Sequence, residues 1–313
     1  MRHLLSLTDL TKKEILEIIT LASKLKKTKH VYRRTPLFQK TLIMLFQKTS
    51  TRTRLSFETA MTQLDGHAIY VDVRTTQTAM ADFQDEIKAM MRYGDILLFR
   101  ALQCDSVKYA ASLNTIPVID GCSEKHHPCQ ALGDMLTMAE YAGGIKKINK
   151  IAWLGIQNNV SNTLKITCAK VGIECALISP ERNKASIDKD LDAMTLASGT
   201  VYVTKDIKKG LAGAQFVHTD TWLDMEFFEN GNVKSAYRKE YERRKKVFRS
   251  YQLNATLINT YAPNAKIMHC MPCHTGYEIT RDALDHKNSI IFDQAENRLH
   301  MQKACLLWLY AHR

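Results

Sequence analysis

Along this chain, short apolar runs of strand length alternate with stretches whose apolar residues recur at helical spacing, and no other property of it excludes as many architectures. Strands separated by helices are the signature of βαβ units around a parallel sheet. Thr11 and Glu14 form a T-x-x-E capping box, and Ile15, Ile18, Ile19, Ala22 and Leu25 follow on one face, so the first helix is predicted to run to about residue 26. Residues 41–46 read as a buried strand, 50–64 as a helix with Phe57, Ala60, Met61 and Leu64 inward, and 68–73 as the next strand. The pattern continues with a helix at 83–93, a strand at 96–99, a helix at 106–114, a strand at 118–120 and a helix at 129–141.

Gly143-Gly144 and the basic stretch 146–150 interrupt this series and mark a domain boundary. A second series follows, with strands at 150–154, 174–178, 215–218 and 266–269, a helix at 161–171 and a Leu-rich final helix around 294–312. At 313 residues the chain suits two domains of ordinary size, and it contains no repeat of 20–50 residues.

Charge and cysteine content narrow the function classes. The 44 basic and 32 acidic side chains leave a formal charge of +12, yet eight basic and two acidic residues fall between Lys234 and Arg249, so half the excess sits in one segment. That segment reads as a solvated helix or long loop, and without a docking motif or aromatic platform nucleic acid is disfavoured as a partner. Apolar runs are too short to cross a bilayer, the Leu4–Leu7 run is too short for a secretory signal, and eight scattered cysteines fit reduced thiols in a cytoplasmic protein without disulfides.

Three places carry chemistry. Lys48-Thr49-Ser50-Thr51-Arg52-Thr53-Arg54 falls after a predicted strand and at the start of a helix, where backbone N–H groups and the positive end of the helix dipole meet hydroxyls and two guanidiniums, a cradle for phosphate. Gly155 also follows a strand, but Ile156-Gln157-Asn158-Asn159 lacks the glycines a dinucleotide needs, which disfavours a nicotinamide or flavin cofactor. The asparagines fit a polar ligand or a turn equally well. His126-His127-Pro128-Cys129-Gln130 and His269-Cys270-Met271-Pro272-Cys273-His274 are the two His/Cys clusters. Zinc on halves drawn from both is disfavoured by the two-residue spacing of His127 and Cys129 across a stiff proline, and a redox C-x-x-C by the Thr275-Gly276 that follows.

Taken in order, Ser50-Thr51-Arg52-Thr53-Arg54, His127-Pro128-Cys129-Gln130, Asp220-Thr221-Trp222 with Met225, His269-Cys270-Met271-Pro272 and Asp293-Gln294-Ala295-Glu296-Asn297-Arg298 resemble the aspartate and ornithine carbamoyltransferase family, nearest its ornithine branch. The likeness runs over essentially the whole chain. It implies two doubly wound parallel-sheet α/β domains, one at 1–142 for carbamoyl phosphate and one at 143–293 for the amino acid, with the helix at 294–313 returning to the first. It further implies a homotrimer with shared active sites, no metal or cofactor, and attack by an uncharged amine on the carbonyl carbon of carbamoyl phosphate. On the matching positions, Ser50, Thr51, Arg52, Thr53 and Arg298 grip phosphate; Arg100, His127 and Thr53 surround the carbonyl oxygen; and Gln130 holds the carbamoyl amide. Gln77 reaches the adjacent subunit's site. Asn159, Asp220, Met225, Cys270 and Met271 face the amine, and Cys270 and Met271 also border carbamoyl phosphate.

Departures from the pattern bear on the acceptor. Where the ornithine branch reads D-x-W-x-S-M-G, this chain has Asp220-Thr221-Trp222-Leu223-Asp224-Met225-Glu226. A carboxylate at Asp224 favours a cationic group and repels an α-carboxylate, and Glu226 stands where glycine allows backbone angles closed to other residues. Ornithine remains the expected acceptor, with putrescine or another amine, or a catalytically silent phosphate-binding protein, as alternatives. Thr78-Ala79-Met80-Ala81-Asp82 replaces a G-R-G-E-like loop, with one residue fewer between Gln77 and Asp85, at the expected subunit interface.

Overall fold

The computed structural model describes residues 1–28, 36–223, 227–229 and 232–313. They divide into two compact units: one of Met1–Thr137, Asn162–Thr167 and Glu296–Arg313, the other of Met138–Ser161 and Cys168–Ala295.

The first unit opens with helix α1 (Lys12–Lys27), whose start is the capping box expected from sequence: Glu14 N–H donates to Thr11 Oγ1 at 3.2 Å, and Thr11 N–H to the Glu14 carboxylate at 2.7 Å. Strand β1 (Thr41–Phe46), helix α2 (Thr51–Gln63), β2 (His67–Asp72), α3 (Phe83–Met90), β3 (Ile96–Arg100), α4 (Cys104–Ser112), β4 (Val118–Asp120) and α5 (Pro128–Ala142) follow. The four strands form one parallel sheet in the order β2-β1-β3-β4. Strands β1 and β3 are central and almost wholly apolar because helices cover both sheet faces, and Ile43, Leu45, Leu97 and Phe99 pack with Ile87, Val107 and Ala110. The edge strand β2 is only partly buried.

The second unit holds β5 (Lys150–Leu154), α6 (Asn159–Val171), β6 (Glu174–Ile178), α7 (Lys189–Ala197), β7 (Val201–Thr204), α8 (Ile207–Leu211), β8 (Phe216–Thr219), a two-stranded ribbon of β9 (Phe228–Glu229) and β10 (Asn232–Val233), α9 (Arg238–Phe248), α10 (Ala255–Tyr261), β11 (Lys266–His269), α11 (Arg281–Leu284) and α12 (Ile291–Ala311). Five strands make a parallel sheet, β11-β8-β5-β6-β7, over a core that includes Leu154, Ile178, Val217, Trp222, Phe248, Ile258 and Ile267. Residues 162–167 of α6, residues 296–311 of α12 and the two residues after α12 belong to the first unit. The protein is therefore an α/β protein built on two parallel sheets.

Strand β7 and helices α7, α8 and α10 lie outside the sequence expectation, and α6 begins two residues earlier than 161. The basic run is an ordered helix: Tyr241 and Phe248 of α9 are buried, Arg243 pairs with Glu181 and Glu240, and Arg244 with Glu240. Most basic side chains between Lys234 and Arg249 are exposed, the solvated face read from sequence. No described helix is long and apolar enough to cross a membrane.

Candidate active site residues in two clusters

In the first unit the polar cluster starts where β1 hands over to α2. Ser50 is the N-cap; its hydroxyl accepts the Thr53 N–H at 3.3 Å and donates to Thr53 Oγ1 at 3.0 Å. Thr53 is fully buried, and the same hydroxyl oxygen accepts from Arg298 Nη2 at 3.1 Å. A residue 245 positions away in sequence is thereby tied to the helix start. Thr51 is exposed and Arg52 half-buried at the first turn, where N–H groups and the helix dipole favour an anion. Arg54, the other guanidinium of the motif, is turned to different work: it pairs with Glu58 at 2.9 Å and lies 4.0 Å from the centre of the Tyr70 ring.

Arg100 ends β3, level with Phe46 of β1, and its Nη1 donates to the Gly121 carbonyl at 3.5 Å. His127 precedes α5; its backbone N–H donates to Thr163 Oγ1 at 2.9 Å. Burial, with Arg298, Arg100 and Lys48 nearby, holds the imidazole well below its ordinary pKa, so it is neutral. Gln130 Nε2 donates to Asp134 Oδ1 at 2.7 Å. Three buried polar atoms here, Arg100 Nε, His127 Nδ1 and Gln130 Oε1, have no hydrogen-bond partner among the described residues. Buried polar atoms are normally satisfied, so such a group points to a ligand that completes it.

Seven residues before His127 stands a buried carboxylate that sequence reasoning missed. Asp120, at the end of β4, accepts the Cys122 N–H at 2.9 Å and the Ser123 hydroxyl at 2.6 Å. Burial pushes its pKa up to about 7.

In the second unit, Gly155 (φ 119°) turns the chain at the end of β5, where a β-carbon would come 3.1 Å from Trp222 Nε1. Asn158 then caps α6 through the Val160 and Ser161 N–H groups, and its Nδ2 donates to Asp220 Oδ2 at 2.6 Å. The turn reading of this asparagine takes the form of a helix cap, and its amide nitrogen is engaged by Asp220. Asn159 is the first residue of α6 and half-buried. Asp220 also accepts from the Cys270 thiol at 3.1 Å and from the Thr221 N–H at 2.8 Å. Asp220, His269 and Cys270 hold their ligand-type atoms within 4.8 Å of one another, but both His269 ring nitrogens are committed, Nδ1 to the Met271 N–H and Nε2 to Glu278.

Gln77 opens a 3-10 turn and is exposed. Asp224, Met225 and Glu226 lie outside the described residues.

A helix start lined with hydroxyls and arginines, a neutral histidine among cations and, in the other unit, a carboxylate joined to a thiol and an amide, all on parallel α/β sheets, define an enzyme that takes a group from an anionic donor. Comparison with known proteins makes the class specific. The family model described as the carbamoyl-P binding domain of aspartate/ornithine carbamoyltransferase matches residues 2–140, and that described as its Asp/Orn binding domain matches 147–309. An ornithine carbamoyltransferase of Methanospirillum hungatei is 37% identical over 312 residues, 99% of each chain. The solved structure of ornithine carbamoyltransferase from Pyrococcus furiosus is 36% identical with a TM-score of 0.86 over 97% of this chain and 96% of that one. The anabolic ornithine carbamoyltransferase of Campylobacter jejuni is 30% identical with a TM-score of 0.88 over the whole of both chains. This chain belongs to the aspartate/ornithine carbamoyltransferase family, and it is a carbamoyltransferase.

Proposed function

We propose that the protein transfers the carbamoyl group of carbamoyl phosphate to the side-chain amine of ornithine, giving citrulline and phosphate, in the cytoplasm and as a step of arginine metabolism. The first unit takes the donor and the second the amino acid. Ser50, Thr51, Arg52, Thr53 and Arg298 hold the phosphate; Gln130 Oε1 accepts from the carbamoyl amide; Asp220 pairs an ammonium of ornithine; and Asn159, Met225, Cys270 and Met271 flank the amine.

The uncharged amine attacks the carbonyl carbon, a C–N bond forms, and the carbonyl electron pair moves to oxygen. Arg100, His127 and Thr53 stabilise that developing charge, the type of contribution that is largest when donors are preorganised in a dry site. Collapse breaks the bond from carbon to the phosphate oxygen. The amine's proton goes to the departing phosphate, because an imidazole beside Arg100, Arg298 and Lys48 is a poor place for another positive charge.

The observation that carries this reading is the set of three buried atoms, Arg100 Nε, His127 Nδ1 and Gln130 Oε1, two of them on groups that donate to a carbonyl oxygen and one an acceptor for an amide N–H. The reading includes a homotrimer in which Gln77 completes a neighbouring site; its exposure, and that of Met80 at 81%, support a buried role in an assembly. Phosphate release from carbamoyl phosphate, measured with ornithine, putrescine, lysine and aspartate, tests the function. Turnover with ornithine far above the others is expected, and faster turnover with putrescine would replace the acceptor. Sedimentation velocity tests the trimer.

A further inference from the structure

The amine cluster contains a buried carboxylate with no part in the reaction scheme. Glu278 is fully buried, and its Oε1 accepts the His274 N–H at 2.5 Å and pairs with His269 Nε2 at 3.2 Å. The Met271 N–H points at His269 Nδ1 from 2.8 Å. A backbone N–H only donates, so Nδ1 carries no proton and the proton of the neutral ring sits on Nε2, facing Glu278. On the other side, His274 Nδ1 shares a hydrogen bond with Thr221 Oγ1 at 2.9 Å.

Strand register does not hold the two acceptor residues. The parallel ladder of β8 and β11 ends at the pair Thr219 and His269, one residue before Asp220 and Cys270. What joins the strand ends beyond that point is a closed circuit: Asp220 to its neighbour Thr221, Thr221 to His274, His274 to Glu278, Glu278 to His269, His269 to Met271, and Cys270 back to Asp220. Met271 needs such support, because its φ of 58° lies in the left-handed region that a residue with a β-carbon adopts only when its surroundings hold it there.

We propose that Glu278, acting through His269, is a positioning residue for the amine acceptor, holding the Cys270–Met271 turn so that the thiol stays on Asp220. The assignment rests on the reading of Asp220 and Cys270 as acceptor contacts.

His269→Gln tests it directly, since an amide nitrogen at the place of Nε2 keeps the donor toward Glu278 while no acceptor remains at the place of Nδ1 for the Met271 N–H. Iodoacetamide labelling of Cys270, followed by mass spectrometry, reads the turn without reference to turnover, and steady-state kinetics read its consequence. Expected are labelling at least threefold faster, an ornithine KM raised tenfold or more and a carbamoyl phosphate KM within twofold of wild type. Glu278→Ala is expected to behave alike and Glu278→Gln, which keeps an acceptor oxygen, to restore most of the ornithine KM; should Glu278→Ala not fold, His269→Gln carries the test. Unchanged Cys270 labelling in His269→Gln overturns the proposal, as does faster labelling with an unchanged ornithine KM. If wild-type protein does not turn over ornithine at all while His269→Gln labels faster, the acceptor reading falls and the link from Glu278 to the turn stands.

Discussion

Asp120 supplies a stability prediction whose sign and size both follow from its surroundings. Its carboxyl has an ordinary pKa near 3.8 and is pushed up to about 7 by burial, against which the Ser123 hydroxyl and the Cys122 N–H compensate only in part. Between pH 4 and 7 the folded protein therefore holds a proton at this site that the unfolded chain has released, and stability falls as pH rises through that window. Each unit of pKa shift corresponds to ~1.4 kcal/mol, so a shift of about three units makes the full effect about 4 kcal/mol. Asp120→Asn removes the titration and keeps the contacts, because the amide oxygen can accept from Cys122 N–H while the amide nitrogen donates to Ser123 Oγ. Urea unfolding of both proteins at pH 5, 6, 7 and 8 isolates the site, since every other titrating group cancels in the difference. The stability of the variant relative to wild type should grow by ~1.4 kcal/mol from pH 5 to 6, by slightly less from 6 to 7, and level off by pH 8. His127 acts in the opposite sense: its folded pKa is depressed, so its contribution is present above the ordinary histidine value and lost as pH falls below it. In wild type the two slopes oppose just below about pH 6.5, and Asp120→Asn uncovers the histidine's. A difference curve that stays constant from pH 5 to 8, or slopes the other way, refutes the reasoning.

Arg52→Ala should raise the carbamoyl phosphate KM by roughly 10–100-fold, the value of one charge-assisted contact to phosphate, with the ornithine KM little changed, as initial-rate kinetics would show. Asp220→Asn should do the reverse, raising the ornithine KM by a similar factor while calorimetric binding of carbamoyl phosphate stays at the wild-type level. Thr11→Ala breaks the capping box of α1, which includes none of the candidate site residues. It should cost about 1 kcal/mol in urea unfolding with kcat unchanged; no loss would mean that the helix start is held by packing instead.

Local features were the legible ones. A capping box, a hydroxyl at a helix start and a strand of five or six apolar residues each declare themselves within a few positions, and α1, β1 and the Ser50 to Thr53 turn stand where sequence puts them. Strand β7, Val201-Tyr202-Val203-Thr204, escaped because it is an edge strand of only four residues with Val203 half-exposed, too short a run to stand out from its polar flanks. Long-range polar links escaped for a different reason. The contact of Asn158 with Asp220 spans 62 positions and that of Arg298 with Thr53 spans 245, so nothing in either local stretch encodes them. Resemblance to a family named Asp220 and Arg298, but Asp120 and Glu278, whose work is to hold other residues, belonged to no motif and were visible only once burial was known.

The two His/Cys clusters show why residue type alone misleads about chemistry. In sequence both carry metal-ligand residue types and the second a C-x-x-C, although local spacing disfavours zinc and redox chemistry, and each follows a strand. In the fold their central histidines have opposite surroundings. His127 faces Arg100, Arg298 and Lys48, which together with burial keep a second proton off the ring and leave it a neutral hydrogen-bonding group. His269 faces Glu278, with its tautomer set by the Met271 N–H, so Nδ1 serves the backbone of the turn and Nε2 the Glu278 carboxylate. Exchanging the environments would disable both: a carboxylate beside His127 would favour the imidazolium and repel phosphate, and cations around His269 would remove the acceptor its Nε2 proton needs. The residue type is therefore common to the two clusters while the function is decided by which charges each strand end brings within reach, and that pattern of charge is a property of the sheet order and not of either motif.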